Sequence, residues 1–158
     1  MDLTTTSPTR TRTSHLDVSS AVSLVSVDTA RAVLGMDTES VADQVDRGRL
    51  RWVWDFASPG SETRRELRFW ALELVRYHCD PGTMSPHPED LLRVIAEVIG
   101  PTPGGRQRAA VLAIRFSISA QLIMDMVRAG VWAEDRVQHT RFIRRHSLEN
   151  FLQARLIQ

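Results

Sequence analysis

Two stretches of the chain make the same move: VDRGRLRW at residues 45–52 and VRAGVW at 127–132. In each, an apolar residue and a charged neighbour lead into a glycine, and residues that suit a strand follow. Gly48 and Gly130 are 82 positions apart, and at that spacing the preceding text agrees in kind: Ile114 falls on Ala32, Phe116 on Leu34, Ile118 on Met36, Ser119 on Asp37, Ile123 on Val41 and Val127 on Val45. Further on the spacing reads as 76, with Ile143 on Leu67, Ser147 on Ala71, Leu148 on Leu72 and Glu149 on Glu73. The first copy is then six residues longer, at a turn where extra length is tolerated. A chain of 158 residues that repeats itself in this way has room for two small units, each with a small core.

Each copy reads as two short helices followed by a hairpin and a third helix. In the first, VDTARAVLGMD places Ala30, Val33 and Leu34 on one helical face and stops at Gly35; a second helix starts from Asp37 or Thr38 as cap, buries Val41 and Val45, and ends at Gly48. RWVWDF alternates in strand fashion, SPGSE turns, RRELRF returns, and WALELVRY closes the core with Trp70, Leu74 and Tyr77. In the second copy Phe116, Ile123, Val127, Ile143, Leu148 and Phe151 form the expected core, and Ser147 caps the last helix. Trp52, Trp54, Trp132 and Phe142 also read as core. Residues 78–88 carry three prolines and a glycine and read as a linker. Pro88, Glu89 and Asp90 then open a helix with Leu91, Ile95, Val98 and Ile99 as its apolar stripe, placed to pack on the second copy, bridge the two or meet another chain. The expected organisation is a disordered arm at 1–14, a first unit at 15–80, a linker with its helix at 81–103 and a second unit at 104–158.

The segments AIRFSISAQLIMDMVRAGVW and RFIRRHSLENFLQARL, with ARAVLGMDTESVADQVDRGRL in the first half, resemble the excisionase-like branch of the MerR-type winged helix-turn-helix family. The resemblance covers about half of the chain. It implies a mainly α fold with small β-wings, in which tandem winged helix-turn-helix units are joined by a linker and a short helix. It also implies that the second helix of each motif enters the major groove of duplex DNA while the wing tracks phosphates. Carried over, the helix positions are Thr38, Ser40 and Arg47 in the first copy and Gln121 and Arg128 in the second.

The basic residues point to the wings. Every one of the 20 basic residues is arginine, and nine lie at the two hairpins: Arg49, Arg51, Arg64, Arg65 and Arg68, then Arg136, Arg141, Arg144 and Arg145. Arginine suits bidentate phosphate contact, although half-solvated strands display charge without any ligand, and a GC-rich genome favours arginine by itself. Against helix-borne reading stand Glu39, Asp43 and Asp46, which have the wrong sign beside phosphate, and the apolar Leu122 and Met124, which suit a protein partner. Two functions follow. One is a small DNA-binding protein of excisionase or repressor type from a phage or mobile element; the other is an interaction module, an antitoxin or phage adaptor, that binds a partner or itself through Leu122 and Met124. No phosphate loop or activated nucleophile appears, and His78, Cys79, Asp80 and His87 lack the paired spacing of a metal site, so neither enzyme activity nor a cofactor is expected. With a lone Cys79 and no apolar run near 20 residues, a soluble cytoplasmic chain is expected.

Overall fold

A computed structural model of the protein describes residues 22–61, 64–79 and 85–157; the expected arm, with Arg10 and Arg12, and Asp80 of the linker lie outside them. Among the described residues the fold mixes α and β, with seven α-helices and two three-stranded antiparallel sheets. The first unit runs β1 (Leu24–Ser26), α1 (Val27–Leu34), α2 (Thr38–Asp46), β2 (Val53–Asp55), β3 (Leu67–Trp70) and α3 (Ala71–Cys79). A 3-10 turn at Pro88–Asp90 opens α4 (Leu91–Ile99). The second unit repeats the first as β4 (Arg106–Arg108), α5 (Ala109–Arg115), α6 (Ala120–Arg128), β5 (Glu134–Val137), β6 (Thr140–Arg144) and α7 (Arg145–Arg155). The short leading strands β1 and β4, absent from the sequence reading, put β3 and β6 at the centre of their sheets. Three residues of LVS or RQR are too few to show a period. Among the described residues no single helix is long and apolar enough to cross a membrane.

Local chemistry explains why the helix pairs recur. Asp37 accepts from the Ser40 backbone N–H at 2.7 Å and Ser119 from that of Leu122 at 3.0 Å, so both second helices carry a side-chain N-cap. Both end with a glycine at positive φ, Gly48 at 69° and Gly130 at 73°, where any other residue would be strained. The turn between the first two helices is left-handed in each copy too, at Gly35 (φ 64°) and Ser117 (φ 52°). A serine there costs about 1 kcal/mol or more; its hydroxyl donates to the Leu24 carbonyl at 2.7 Å, a bond between the units that a glycine cannot make.

Strand pairing corrects the second half of the repeat. Leu24 pairs with Trp70, and its counterpart Arg106 with Arg144; Val53 pairs with Phe69 and Glu134 with Ile143. From β3 onward the spacing is therefore 74, not 76, and the first copy is longer by eight residues, one of them ahead of β2 and seven in the hairpin. Ile143 falls on Phe69 and Leu148 on Leu74, all four buried. Ser147 falls on Glu73, inside its helix. It is not the N-cap: Arg144 holds that position without a side-chain cap, while the Ser147 hydroxyl donates to the Arg144 carbonyl and accepts from the Ala133 N–H. Ile114 and Ala32 are matched but exposed, Met126 takes the buried place expected of Val127, which is half-buried, and Phe142 lies half-buried beneath the Arg106 guanidinium.

The cores do not divide between the two copies. A smaller cluster inside the first unit joins Ala30, Val41, Val45, Leu50, Val53, Leu67, Phe69 and Leu74. The larger one joins Leu24, Trp52, Trp54, Phe56 and Trp70 of the first unit to α4 and to Phe116, Ile123, Trp132, Ile143, Leu148 and Phe151 of the second. Trp70 thus faces the second unit instead of closing the first. The first sheet is apolar on both faces because its strands alternate: Val53, Leu67 and Phe69 point one way, Trp54 and Trp70 the other. Phe56 stacks edge-on against Phe116, Trp132 and Phe151 with centroids 5.0–6.4 Å apart. The Trp54 indole N–H donates to the Leu152 carbonyl at 2.9 Å, and the Ile157 N–H to the Val53 carbonyl at 2.9 Å, so the segment after α7 covers the open edge of β2. Helix α4 packs along α7, and its Val98 carbonyl accepts from the Ser23 hydroxyl at 2.6 Å, which ties the first unit to α4, while the Ser23 N–H donates to the Arg115 carbonyl at 2.9 Å and bridges the units.

Replacing Trp54 by Ala removes a fully buried side chain and should lower stability by about 3–5 kcal/mol. Both units should lose protection together in hydrogen exchange, whereas independent units would leave α6 unaffected. Ile123→Ala should cost about 2–5 kcal/mol in thermal or denaturant unfolding.

Candidate nucleic-acid interface

One cleft collects residues that sequence reading took from separate elements. Thr38, the first residue of α2, meets Arg64, Arg65 and Arg68 of the hairpin around a space of about 480 Å³ that also touches Ser26 and Asp28 at the start of α1. The first residues of two helices and three arginines thus line the same volume, and Asp28 and Glu66 in its walls reduce the positive charge. Arg64 is exposed, with no ion pair or side-chain hydrogen bond among the described residues. Arg65 reaches Asp46 at 3.2 Å, with both side chains mostly in solvent.

Arg68 serves a different end. Its side chain is 12% exposed, its Nε donates to the Ser117 carbonyl at 3.1 Å and Nη1 to the Leu67 carbonyl at 2.9 Å. Burial pushes its pKa below the usual arginine value, and Glu66 partly offsets this. It is a strut between the units as well as a wall of the cleft.

In the second hairpin the arginines expected to face a ligand are held by carboxylates, Arg136 by one of its own strand and Arg141 and Arg144 by ones across the hairpin. Glu134 accepts from Arg136 and from Arg141, each at 2.8 Å, and Asp135 accepts from Arg144 at 2.6 Å with Arg106 at 3.9 Å. Both carboxylates are held below their usual pKa by these hydrogen bonds, that from Arg136 foremost for Glu134 and that from Arg144 for Asp135. Arg145 turns inward, to Glu149, to Thr102 Oγ1 at 2.9 Å and to the Gly100 carbonyl at 3.2 Å. It fastens the end of α4 to α7. The sequence signal was present in AEDRV, since in a tight hairpin acidic residues two to ten positions from arginines lie within reach across the strands.

The helix positions divide similarly. Ser40 is exposed with its N–H given to the cap, Arg47 pairs with Asp43 at 2.8 Å, and the Gln121 amide donates to Asp125 at 2.8 Å. Leu122 and Met124 are half-buried, and Leu122 packs against the larger core, so neither forms the open apolar face expected of them. Arg49 and Arg51, in the connection after α2, and Arg128, at the end of α6, are exposed with no ionic partner among the described residues. Sequence reading passed over Arg108, exposed at the end of β4, and Arg155, at the end of α7; neither lies in a hairpin, and only the fold brings Arg155 to one. Among the described residues no three His, Cys, Asp or Glu side chains form a group that would hold a metal; His78, Cys79 and His87 are exposed. No family model, curated protein or solved structure matches the chain.

Since Glu134 and Asp135 have lowered pKa values in the folded state, their stabilisation is complete above the ordinary carboxylate range and is lost as pH falls through the lowered values. Acid titration followed by circular dichroism should therefore show the second hairpin loosening below about pH 4, the ordinary carboxylate range. The Glu134→Gln, Asp135→Asn variant should show less of that acid dependence and be less stable at neutral pH.

Proposed function

We propose that the chain is a duplex-DNA-binding protein of excisionase or repressor type, built from two excisionase-like, MerR-type winged helix-turn-helix units fused through a common core. The observation that carries this reading is the cleft in which the start of α2 meets Arg64, Arg65 and Arg68, the place where such a unit would bring recognition helix and wing to the DNA backbone. The repeated order of strand, two helices, hairpin and helix supports it. Contacts would come from arginines without carboxylate partners among the described residues, Arg49, Arg51, Arg64 and Arg128 foremost, while Arg141, Arg144 and Arg145 act mainly within the protein. Acidic α2 disfavours close base reading by the first unit, so phosphate contact would dominate affinity. A regulatory role in transcription or recombination follows from the family resemblance alone.

Fluorescence anisotropy with duplex DNA at several salt concentrations tests this. Arg64→Ala should flatten the slope of log affinity against log salt by about 0.9 and weaken binding to all sequences alike. Arg145→Ala should leave the slope unchanged and lower the unfolding temperature. Absence of salt-dependent binding to any duplex would overturn the reading.

A second reading has its own observation. Leu72 and Val75 project from one face of α3 with more than half of each exposed, and Ile114, with Val111 at 40%, is exposed on α5. An adaptor or antitoxin role would use those faces, not Leu122 and Met124.

A further inference from the structure

The hairpin of the first unit has a second basic cleft, of about 400 Å³, bounded by the turn at Ser58–Ser61, by Arg64 and Arg65, and by Arg155 from the last helix of the second unit. Neither unit makes this cleft alone. The turn is set by the Ser61 N–H donating to the Ser58 carbonyl at 3.0 Å and by Gly60 at φ 89°. Asp55, the carboxylate in the wall, is occupied in shaping the loop: its Oδ1 accepts from the backbone N–H groups of Ala57 at 2.9 Å and Glu66 at 3.0 Å. Among the described residues the lining has three arginines against one carboxylate; Arg65 is paired with Asp46, which leaves Arg64 and Arg155 as the two without an ionic partner. Arg155 stands with its guanidinium 5.5 Å from the Phe151 ring centroid, a contact that fixes the stem while leaving its N–H donors unspent. It has no ion pair among the described residues. An open cleft lined by two serines of the turn and by arginines from two elements, two of them without an ionic partner, suits an oxyanion with several acceptor oxygens better than an apolar group.

We propose that this cleft seats a phosphate group, and that in the complex with duplex it holds a backbone phosphodiester through Arg155 together with Arg64. The seat would fix where the second unit's last helix lies on the DNA, a positioning contact that a single unit could not supply. Only the assignment to duplex rests on the function proposed above; the phosphate seat stands without it.

The variant that isolates the seat is Arg155→Met, which keeps the stem packed on Phe151 and removes the charge; circular dichroism checks that it is folded. In the first arm, the full chain is titrated with inorganic phosphate against chloride at equal ionic strength and its unfolding temperature is read. The seat predicts a rise with phosphate that Arg155→Met lacks and Arg155→Lys partly restores. A response no larger than that to chloride, or an equal response from Arg155→Met, overturns it. In the second arm, the salt dependence of binding to duplex DNA is measured. With a phosphodiester in the seat, Arg155→Met lowers the slope by about 0.9 and weakens affinity roughly eightfold at 0.1 M salt. If the first arm is positive and the slope is unchanged, the seat takes a free phosphate ester and the duplex assignment is wrong. If the wild type binds no duplex while the first arm is positive, the DNA reading fails and the seat remains.

Discussion

The first sheet is covered by apolar packing on both faces, and the rest of the architecture follows from that. A hairpin that carries Val53, Leu67 and Phe69 on one side and Trp54 and Trp70 on the other cannot stand in water as a free wing. One face is covered by α1, α2 and α3 of its own unit. The other requires the second unit, with α4 as its flank. The two copies are therefore held at a fixed relative setting, and the polar bonds between them, from Ser23, Trp54, Arg68 and Ser117, connect atoms that the shared packing buries wholly or in part.

This explains which parts of the chain were legible. The helix pairs were, because capping and left-handed glycines are local chemistry: Asp37, Ser119, Gly48 and Gly130 signal through their immediate neighbours. The α4 stripe was legible for the same reason. The register of the return strands was not, because SLENF and ALELV look alike by composition, and only the pairing of Leu24 with Trp70 and of Arg106 with Arg144 fixes the alignment. The shared core left one trace: RWVWDF is apolar at successive positions, whereas EDRVQHTRFIRR has charged residues at most of its outward places. The first wing reads as buried and the second as solvated.

Charge followed the same division between local and distant information. Counting arginines near a hairpin treats each as available, yet most of those in the second hairpin have a carboxylate within 3 Å. Such pairs lower the field that a phosphate would feel. What remains for a ligand among the described residues is a smaller set of arginines without a carboxylate partner, at Arg49, Arg51, Arg64, Arg108, Arg128 and Arg155, spread over both copies. The first unit carries half of them although its α2 is the more acidic of the two equivalent helices, so within that unit the positive charge lies on the hairpin and the loop after α2 instead of on α2 itself.

The closure of β2 by the segment after α7 has a consequence for how the chain is made. Trp54 and the carbonyl of Leu152 that receives its indole proton are 98 positions apart. At typical ribosomal speeds of roughly 5–20 residues per second, about 5–20 seconds separate the two during synthesis. Throughout that interval the nascent first sheet has a bare aromatic face and an unpaired edge, the combination that draws chaperones and neighbouring chains on the same message. The first unit, although complete in sequence by then, stays a client of its surroundings until the second half of its own chain arrives.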